Sequence, residues 1–400
     1  MRARVFVFCL SLLLVGVVPG ADSLGIRTIG HCDTPGSANG VAVSGDSAYL
    51  AADTAGLRVI SIVDPAHPVE VGHYDTPGQA WGVAVGGRFA YVADGDSGLR
   101  VIRVASQTEV GHRALPGFAF CVAVSGNYAY VATGDSGVRV ISVVDSANPV
   151  VVGFYRAPSQ TWGVAVNGNY VYVAGGDSGF RVVSVTDPAH PAEVGKCATF
   201  GYAQGLAISG ERAYVAGDFG LRVISIADSA HPAEVGYCAT PAFAYSVIVG
   251  SDTAYVADGD SGLRAISVAD STQPVEVGYY DTPGFANSVA LHHNYILVAD
   301  FDAGLQIYQS SESGVQETPS AVSRTANPIP TVVRGSLNLG VDGRQHSASR
   351  AGLLDISGRK VMDLKPGAND VRALTPGVYF VREAQDQAQA QAIRKVVVTR

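Results

Sequence analysis

Between residues 24 and 309 the apolar positions fall in short runs, each bounded by residues that favour turns. Val83-Ala84-Val85 is followed by a Gly86-Gly87 turn and then by Phe89-Ala90-Tyr91-Val92-Ala93. Asp94-Gly95-Asp96-Ser97-Gly98 leads on to Leu99-Arg100-Val101-Ile102. A proline loop such as Asp64-Pro65-Ala66-His67-Pro68 precedes a fourth run, Val69-Glu70-Val71-Gly72-His73-Tyr74. β-Branched and aromatic runs between Gly, Asp and Pro are strand signals, so each unit predicts four strands. Several runs are apolar on both faces, which predicts sheets covered on both sides.

The pattern repeats. Equivalent glycines stand at Gly30, Gly72, Gly111, Gly153, Gly195, Gly236 and Gly278, with spacings of 42, 39, 42, 42, 41 and 42. Four strands in about 42 residues is the signature of a propeller blade, and the strand chemistry excludes a helical solenoid. The array opens with Gly25-Ile26-Arg27-Thr28-Ile29-Gly30-His31, a run of the fourth type, and stops at Leu305-Gln306-Ile307-Tyr308, a run of the third. The first strand is therefore expected to complete the last blade and hide two sheet edges. The fold class is all-β: a seven-bladed β-propeller over 24–309 with four-stranded blades.

After this array the chain changes character. Residues 310–330 are rich in Ser, Thr, Pro and Glu and lack periodicity, so they read as a linker. Strand signals return in 331–400 at Ser336–Leu339, Ala351–Ile356, Lys360–Leu364, Gly377–Arg382 and Lys395–Val398. They predict a small β-sandwich.

Two resemblances follow. The recurring LRVISIVD, LRVISVVD and FRVVSVTD segments, followed by Pro-Ala-His-Pro or a similar loop, resemble LVIVD-repeat proteins. That resemblance implies a surface propeller of bacteria or archaea and no established chemistry. In the tail, Asn327-Pro328, then Leu354-Asp355-Ile356-Ser357-Gly358-Arg359-Lys360-Val361, then Leu374-Thr375-Pro376-Gly377-Val378-Tyr379-Phe380 and a final Lys395-Val396-Val397-Val398 resemble a type IX secretion C-terminal sorting domain. Gly358, Gly377 and Tyr379 carry that motif. It implies contact with a secretion machinery and export to the cell surface. The polar stretch Gln385–Gln391 departs from the pattern and lengthens the last hairpin.

The other end of the chain agrees with export. Residues 1–20 read as a signal peptide, with Arg2 and Arg4 ahead of the apolar stretch Val5–Val18. That stretch is short for a membrane span, which needs about 20 apolar residues, and no transmembrane span is expected elsewhere. A formal charge of -8 and the lack of a basic stripe argue against a nucleic-acid partner. Cys32, Cys197 and Cys238 fill one position in three repeats. Disulfides between equivalent positions of different blades would exceed the bonding distance of about 4.4–6.8 Å between Cα atoms, so free thiols are expected.

Several residue sets suggest chemistry. Asp96, Asp135, Asp177, Asp218, Asp260 and Asp302 recur in the turn between the second and third strands. No Asp-x-Asp-x-Asp calcium loop is present, so these carboxylates are expected to accept backbone amides of their turns. Arg58, Arg100, Arg139, Arg181, Arg222 and Arg264 share one position, which Gln306 takes in the last repeat. They are expected to clamp turn carboxylates. His67, His190 and His231 sit in separate proline loops, too far apart to share an ion. His292-His293, if in a strand, would point to opposite faces. No catalytic residue, metal site or cofactor is expected.

The position that differs around the ring is more telling. Just before the inner strands stand Asn39, Trp81, Phe120, Trp162, Gln204, Tyr245 and Asn287. Two residues earlier stand Ser37, Gln79, Phe118, Gln160, Tyr202, Phe243 and Phe285. A residue that builds every blade should stay similar, whereas one that varies is free for recognition. Aromatics mixed with amides suit a glycan or protein ligand, although large side chains here would also serve simply to plug the loops. The expectation is an extracellular or cell-surface binding module. The competing one is a hydrolase or lyase with carboxylates at the channel mouth, which fold alone does not decide.

Overall fold

The computed structural model describes residues 26–310 throughout and, beyond them, the backbone of seven strands between residues 331 and 398. Residues 26–310 form seven four-stranded antiparallel sheets. The first blade runs Gly40–Ser44, Ser47–Ala51, Leu57–Ser61 and Val69–Tyr74 from inside to outside. Blades two to six begin at Gly82, Cys121, Gly163, Ala203 and Ser246 and repeat this order. In the seventh, Ser288–His292, Tyr295–Ala299 and Leu305–Ser310 are completed by Ile26–Cys32, which pairs antiparallel with Leu305–Ser310. The ring therefore closes as the matching ends of the repeat array require.

Residues 26–310 have no single central core. Their buried side chains divide into seven clusters, each shared by two neighbouring blades. Tyr49, Leu57 and Val59 of the first blade meet Ala90, Val92 and Ile102 of the second. The second strand of a blade, as in Phe89–Ala93, is buried on four consecutive residues because a neighbour lies against each face. This explains why alternation is weak in the sequence.

Each outer strand carries a bulge at its repeat glycine, as at Gly72 and Gly153. A Cβ at Gly153 would run into the main chain of the next blade's proline loop, at Pro188 O and Ala189 O, and at Gly30 it would strike Pro65 and Ala66 in the same way. The inner strands meet as closely. A Cβ on Gly82 would lie 2.7 Å from Phe120 O and 3.0 Å from the Cα of Cys121.

The histidines of the proline loops cap their own turns. His67, His190 and His231 sit 2.8–3.0 Å from Asp64, Asp187 and Asp228, three residues earlier. His292 and His293 do not point apart as a strand would require. The strand ends at His292, His293 turns with φ 55°, and the two rings lie 4.3 Å apart. Cys32, Cys121, Cys197 and Cys238 are free and half-buried.

A second unit spans Gln316–Arg400. Its strands form a five-stranded sheet, with Gly377–Glu383 near its middle, and a separate pair made by Ser336–Leu339 and Gly367–Asp370. Gly377 and Tyr379 fall in the first of these strands, whereas the predicted signal peptide (1–20), the linker (310–330, except Ser310 in the closing strand) and Gly358 lie outside the described residues.

Ring closure rests on Ile26, which is 2% exposed and packs with Tyr255, Leu263 and Tyr308 across the last seam. Ile26→Ala should destabilise the propeller by about 2–4 kcal/mol, measured as a lower midpoint in urea unfolding.

Candidate functional site

One end of the ring gathers the loops leading into the inner strands and the turns between second and third strands. Backbone bridges join the turn of one blade to the loop of the next: Asp53 to Ala80, Gly95 to Ala119, Gly134 to Thr161, Gly176 to Ala203, Gly259 to Ala286 and Phe301 to Ala38. The turn residue is left-handed in each, with φ between 46° and 58°. Glycine adopts this readily, but Phe301 at φ 51° pays about 1 kcal/mol or more. The fifth blade differs. Its turn is only Asp218-Phe219, and its bridge is reduced to Ala244 N–H donating to Gly217 O at 3.2 Å.

All seven candidate residues, Asn39, Trp81, Phe120, Trp162, Gln204, Tyr245 and Asn287, line one cavity of about 570 Å³ at the mouth of the axis. Trp81, Phe120 and Trp162 are consecutive around the ring and form an aromatic arc. Phe120 lies 5.5 Å from Trp81, edge to face, and 4.3 Å from Trp162. Such contacts fix aromatic rings beyond what burial alone provides. Phe118 backs Trp81 at 5.9 Å. Tyr202 backs Trp162: its hydroxyl accepts Trp162 Nε1–H at 2.7 Å and donates to Gln160 Oε1 at 2.6 Å.

Amides face this arc from the first and seventh blades. Asn287 Nδ2 donates to Asn39 O at 2.6 Å, and Asn39 Nδ2 to Ala80 O at 3.1 Å. Asn39 Oδ1 and Trp81 Nε1 are buried without a hydrogen-bond partner. The lining contains no Asp, Glu, His, Lys or Arg. Of the residues two positions earlier, Phe285 reaches this cavity, while Phe118, Gln160 and Tyr202 buttress it from behind.

Phe301 also lines the cavity and was missed by sequence reasoning. Its signal was present: Asp300-Phe301-Asp302 stands where the second repeat has Asp94-Gly95-Asp96.

The turn aspartates need correction. Asp96 and Asp135 are exposed, and in the second, sixth and seventh blades the carboxylate that accepts a backbone amide stands two residues before the Asp of the Asp-Ser-Gly or Asp-Ala-Gly turn and bonds to the loop before the inner strand. Asp94 accepts Thr76 Oγ1 at 2.5 Å and Gly78 N–H at 3.0 Å, and Asp258 and Asp300 do the same with Thr240 and Ala242, and with Thr282 and Gly284. Asp302 accepts Ser37 Oγ at 2.8 Å. The arginine clamp holds on turn and loop carboxylates, with Arg58 2.8 Å from Asp75, Arg100 3.2 Å from Asp94 and Arg264 3.8 Å from Asp258, and it adds the outer-strand glutamate of its own blade. Arg58, Arg100, Arg181, Arg222 and Arg264 pair with Glu70, Glu109, Glu193, Glu234 and Glu276 at 3.0–3.8 Å. Val151 replaces that glutamate in the third blade, and Arg139 lies over Phe154 at 4.9 Å instead.

Burial raises the carboxyls of Asp94, Asp258 and Asp300. Arg100 and Arg264 oppose this for the first two. Asp300 has Gln306 in that place, and its carboxyl is pushed up to about 6.

The LVIVD-repeat family model matches residues 35–76, 77–108, 116–157, 158–199, 200–240, 243–282 and 283–308. No curated protein matches the chain. Among solved structures, the WD40 β-propeller domain of Doa1 is 12% identical with a TM-score of 0.57, covering 73% of this chain and 97% of that one. The RRP9 WD40 repeats are 15% identical with a TM-score of 0.56, covering 72% and 99%. A computationally designed protein, Ika8, is 10% identical with a TM-score of 0.53, covering 72% and 100%. At these identities the likeness is one of fold.

The position of Asp300 has a pH consequence. An unfolded Asp titrates near 3.9, so between about pH 4 and 6 the native state holds a proton that the unfolded state has lost. Its contribution to stability is greatest below about pH 4 and falls by roughly 2–3 kcal/mol as pH rises through 6. Gln306→Arg supplies the missing cation. Relative to the parent it should gain stability at pH 7 and little at pH 4, read from urea midpoints at both values.

Proposed function

This chain belongs to the LVIVD-repeat family, and from that premise we propose that it is an extracellular binding module whose channel mouth takes an uncharged ligand, a glycan or a protein segment. The observation that carries this reading is the composition of the mouth. It joins three contiguous aromatic side chains to amides of the first and seventh blades, with no Asp, Glu, His, Lys or Arg among the lining residues. Flat apolar faces beside amide donors and acceptors match the alternating apolar and hydroxylated surfaces of a sugar. For that reason a glycan is favoured over a protein segment.

Further support comes from strain and from unmet hydrogen bonding. Phe301 is held left-handed at the cavity rim, a cost of the kind that collects at functional sites. Asn39 Oδ1 is an unused acceptor beside the cavity, and Trp81 Nε1 an unused donor. The hydrolase or lyase alternative needs paired carboxylates at the mouth. The buried carboxylates Asp94, Asp258 and Asp300 instead lie in separate blades, each engaged with its own loop.

The route to the surface is part of the proposal. Residues 1–20 act as a signal peptide, and 331–400, with Gly358, Gly377 and Tyr379, act as a type IX sorting domain recognised by the secretion machinery. No helix among the described residues is long and apolar enough to cross a membrane.

The chain has two tryptophans, and both line the mouth. Ligand binding should therefore change intrinsic tryptophan emission without a label. In a screen of neutral oligosaccharides against the intact protein, a hit should shift emission and saturate. Trp162→Ala should weaken that hit by at least about tenfold, with an unchanged unfolding midpoint. A hit that keeps its affinity in Trp162→Ala, read by calorimetry, would sink the assignment to the mouth.

A further inference from the structure

A second cavity, of about 440 Å³, opens on the same face between the fifth and sixth blades. It exists because the fifth blade departs from the repeat. Elsewhere the turn after the second strand has five residues, as in Asp94–Gly98, whereas the fifth blade spans it with Asp218 and Phe219. The shorter turn is left with a single backbone hydrogen bond to the next blade's loop, Ala244 N–H to Gly217 O, and uncovers the space beside it.

The walls of this cleft are aromatic. Phe219, Tyr237, Phe243, Tyr245 and Phe285 line it. Phe219, Tyr237 and Phe243 are 46%, 41% and 54% exposed, an arrangement that costs solvation unless something covers it. Tyr245 and Phe285 stand edge to face at 5.0 Å and separate the cleft from the channel mouth. Tyr237 is held in place, since its hydroxyl donates to Phe219 O at 2.5 Å.

Two carboxylates, Asp218 and Asp260, also line the cleft, and no Lys, Arg or His does. Both charges reach the Tyr245 hydroxyl, whose pKa is raised first by burial and then by Asp260 and Asp218. Behind the wall, the Arg222 guanidinium stacks on Tyr237 at 4.6 Å. It is neutralised by a two-pronged contact with Glu234, 3.0 Å to each oxygen. The cleft is thus negative and rich in π faces. Its one hydroxyl other than the tyrosines is Thr240, which donates to Asp258.

These features select among cations. A primary ammonium needs several acceptors to replace its water. A quaternary ammonium has no N–H to satisfy and spreads its charge over methyl groups that pack on ring faces. We propose that the cleft between the fifth and sixth blades binds a quaternary ammonium group, held by Phe219, Phe243 and Tyr245 with Asp218 and Asp260 supplying the opposing charge.

The test is calorimetric titration of the intact protein at fixed ionic strength. Three probes are compared: choline, its neutral carbon isostere with a tert-butyl group in place of trimethylammonium, and n-butylammonium. Choline should bind, with each of the other two at least about tenfold weaker. Phe243→Ala, an exposed position, and the pair Asp218→Asn with Asp260→Asn should each weaken choline by about fivefold or more. The pair Asp96→Asn with Asp135→Asn makes the same change in net charge at other turns and should leave choline binding as it is. The inference is overturned if choline does not bind, or if the neutral isostere binds as well, which would leave only an apolar cleft. It is equally overturned if n-butylammonium binds more tightly, or if the two aspartate pairs weaken choline alike. None of these outcomes bears on the glycan reading, which is read at Trp162.

Discussion

Seven sheets share one axis here because main chain meets main chain at every seam. The repeat glycines Gly30, Gly111, Gly153, Gly195 and Gly236 of the outer strands lie against the main chain of the next blade's proline loop, where even a methyl group at Gly153 would collide with Pro188 O. At the axis, the small residues that open the inner strands allow the same approach. Everything else follows from that closeness. The seven apolar clusters are layers between blades, the second strands are buried on both faces, and the loops converge on a mouth narrow enough for side chains from all seven blades to line one cavity. A larger residue at these points would wedge the blades apart and open the ring.

This constraint also explains what could be read from the sequence. Strand order, blade number and ring closure are carried by local chemistry repeated seven times, so accidental matches in one unit are corrected by the other six. The mouth residues were legible for the opposite reason: they vary where the frame does not. What escaped detection depends on distances between units. The glutamates that pair with the arginines lie on a neighbouring strand, and only pairing brings Glu109 to Arg100. The aspartates of the Asp-Ser-Gly turns looked structural because they recur. Yet Asp94, less regular in the repeats, points inward to Thr76, while Asp96 faces solvent. Phe301 shows in the sequence only as a departure from the glycine of other repeats, and it takes the fold to bring its left-handed backbone to the mouth.

The departures from sevenfold regularity are not scattered. Val151 removes an acid from the third blade, Gln306 a base from the seventh, and the fifth loses part of a turn. The first two alter charge inside the frame, leaving Arg139 with the ring of Phe154 and Asp300 without a cation. The third alters the surface, and the aromatic residues it uncovers face outward. A ring of near-identical blades tolerates such edits because each blade touches only two others, so a change in one seam leaves the remaining seams intact.

The closing strand also orders events in time. Ile26 pairs with Ser310, so the first strand of the ring has its partner at the far end of the array. Bringing two such distant points together costs about 5 kcal/mol of chain entropy by simple loop scaling. Six blades can form from neighbouring segments, but the seventh must wait until the last of them is in place. As the chain is made, the strand that emerges first is the last to find its place, and until then the edges it will cover stay open to other chains.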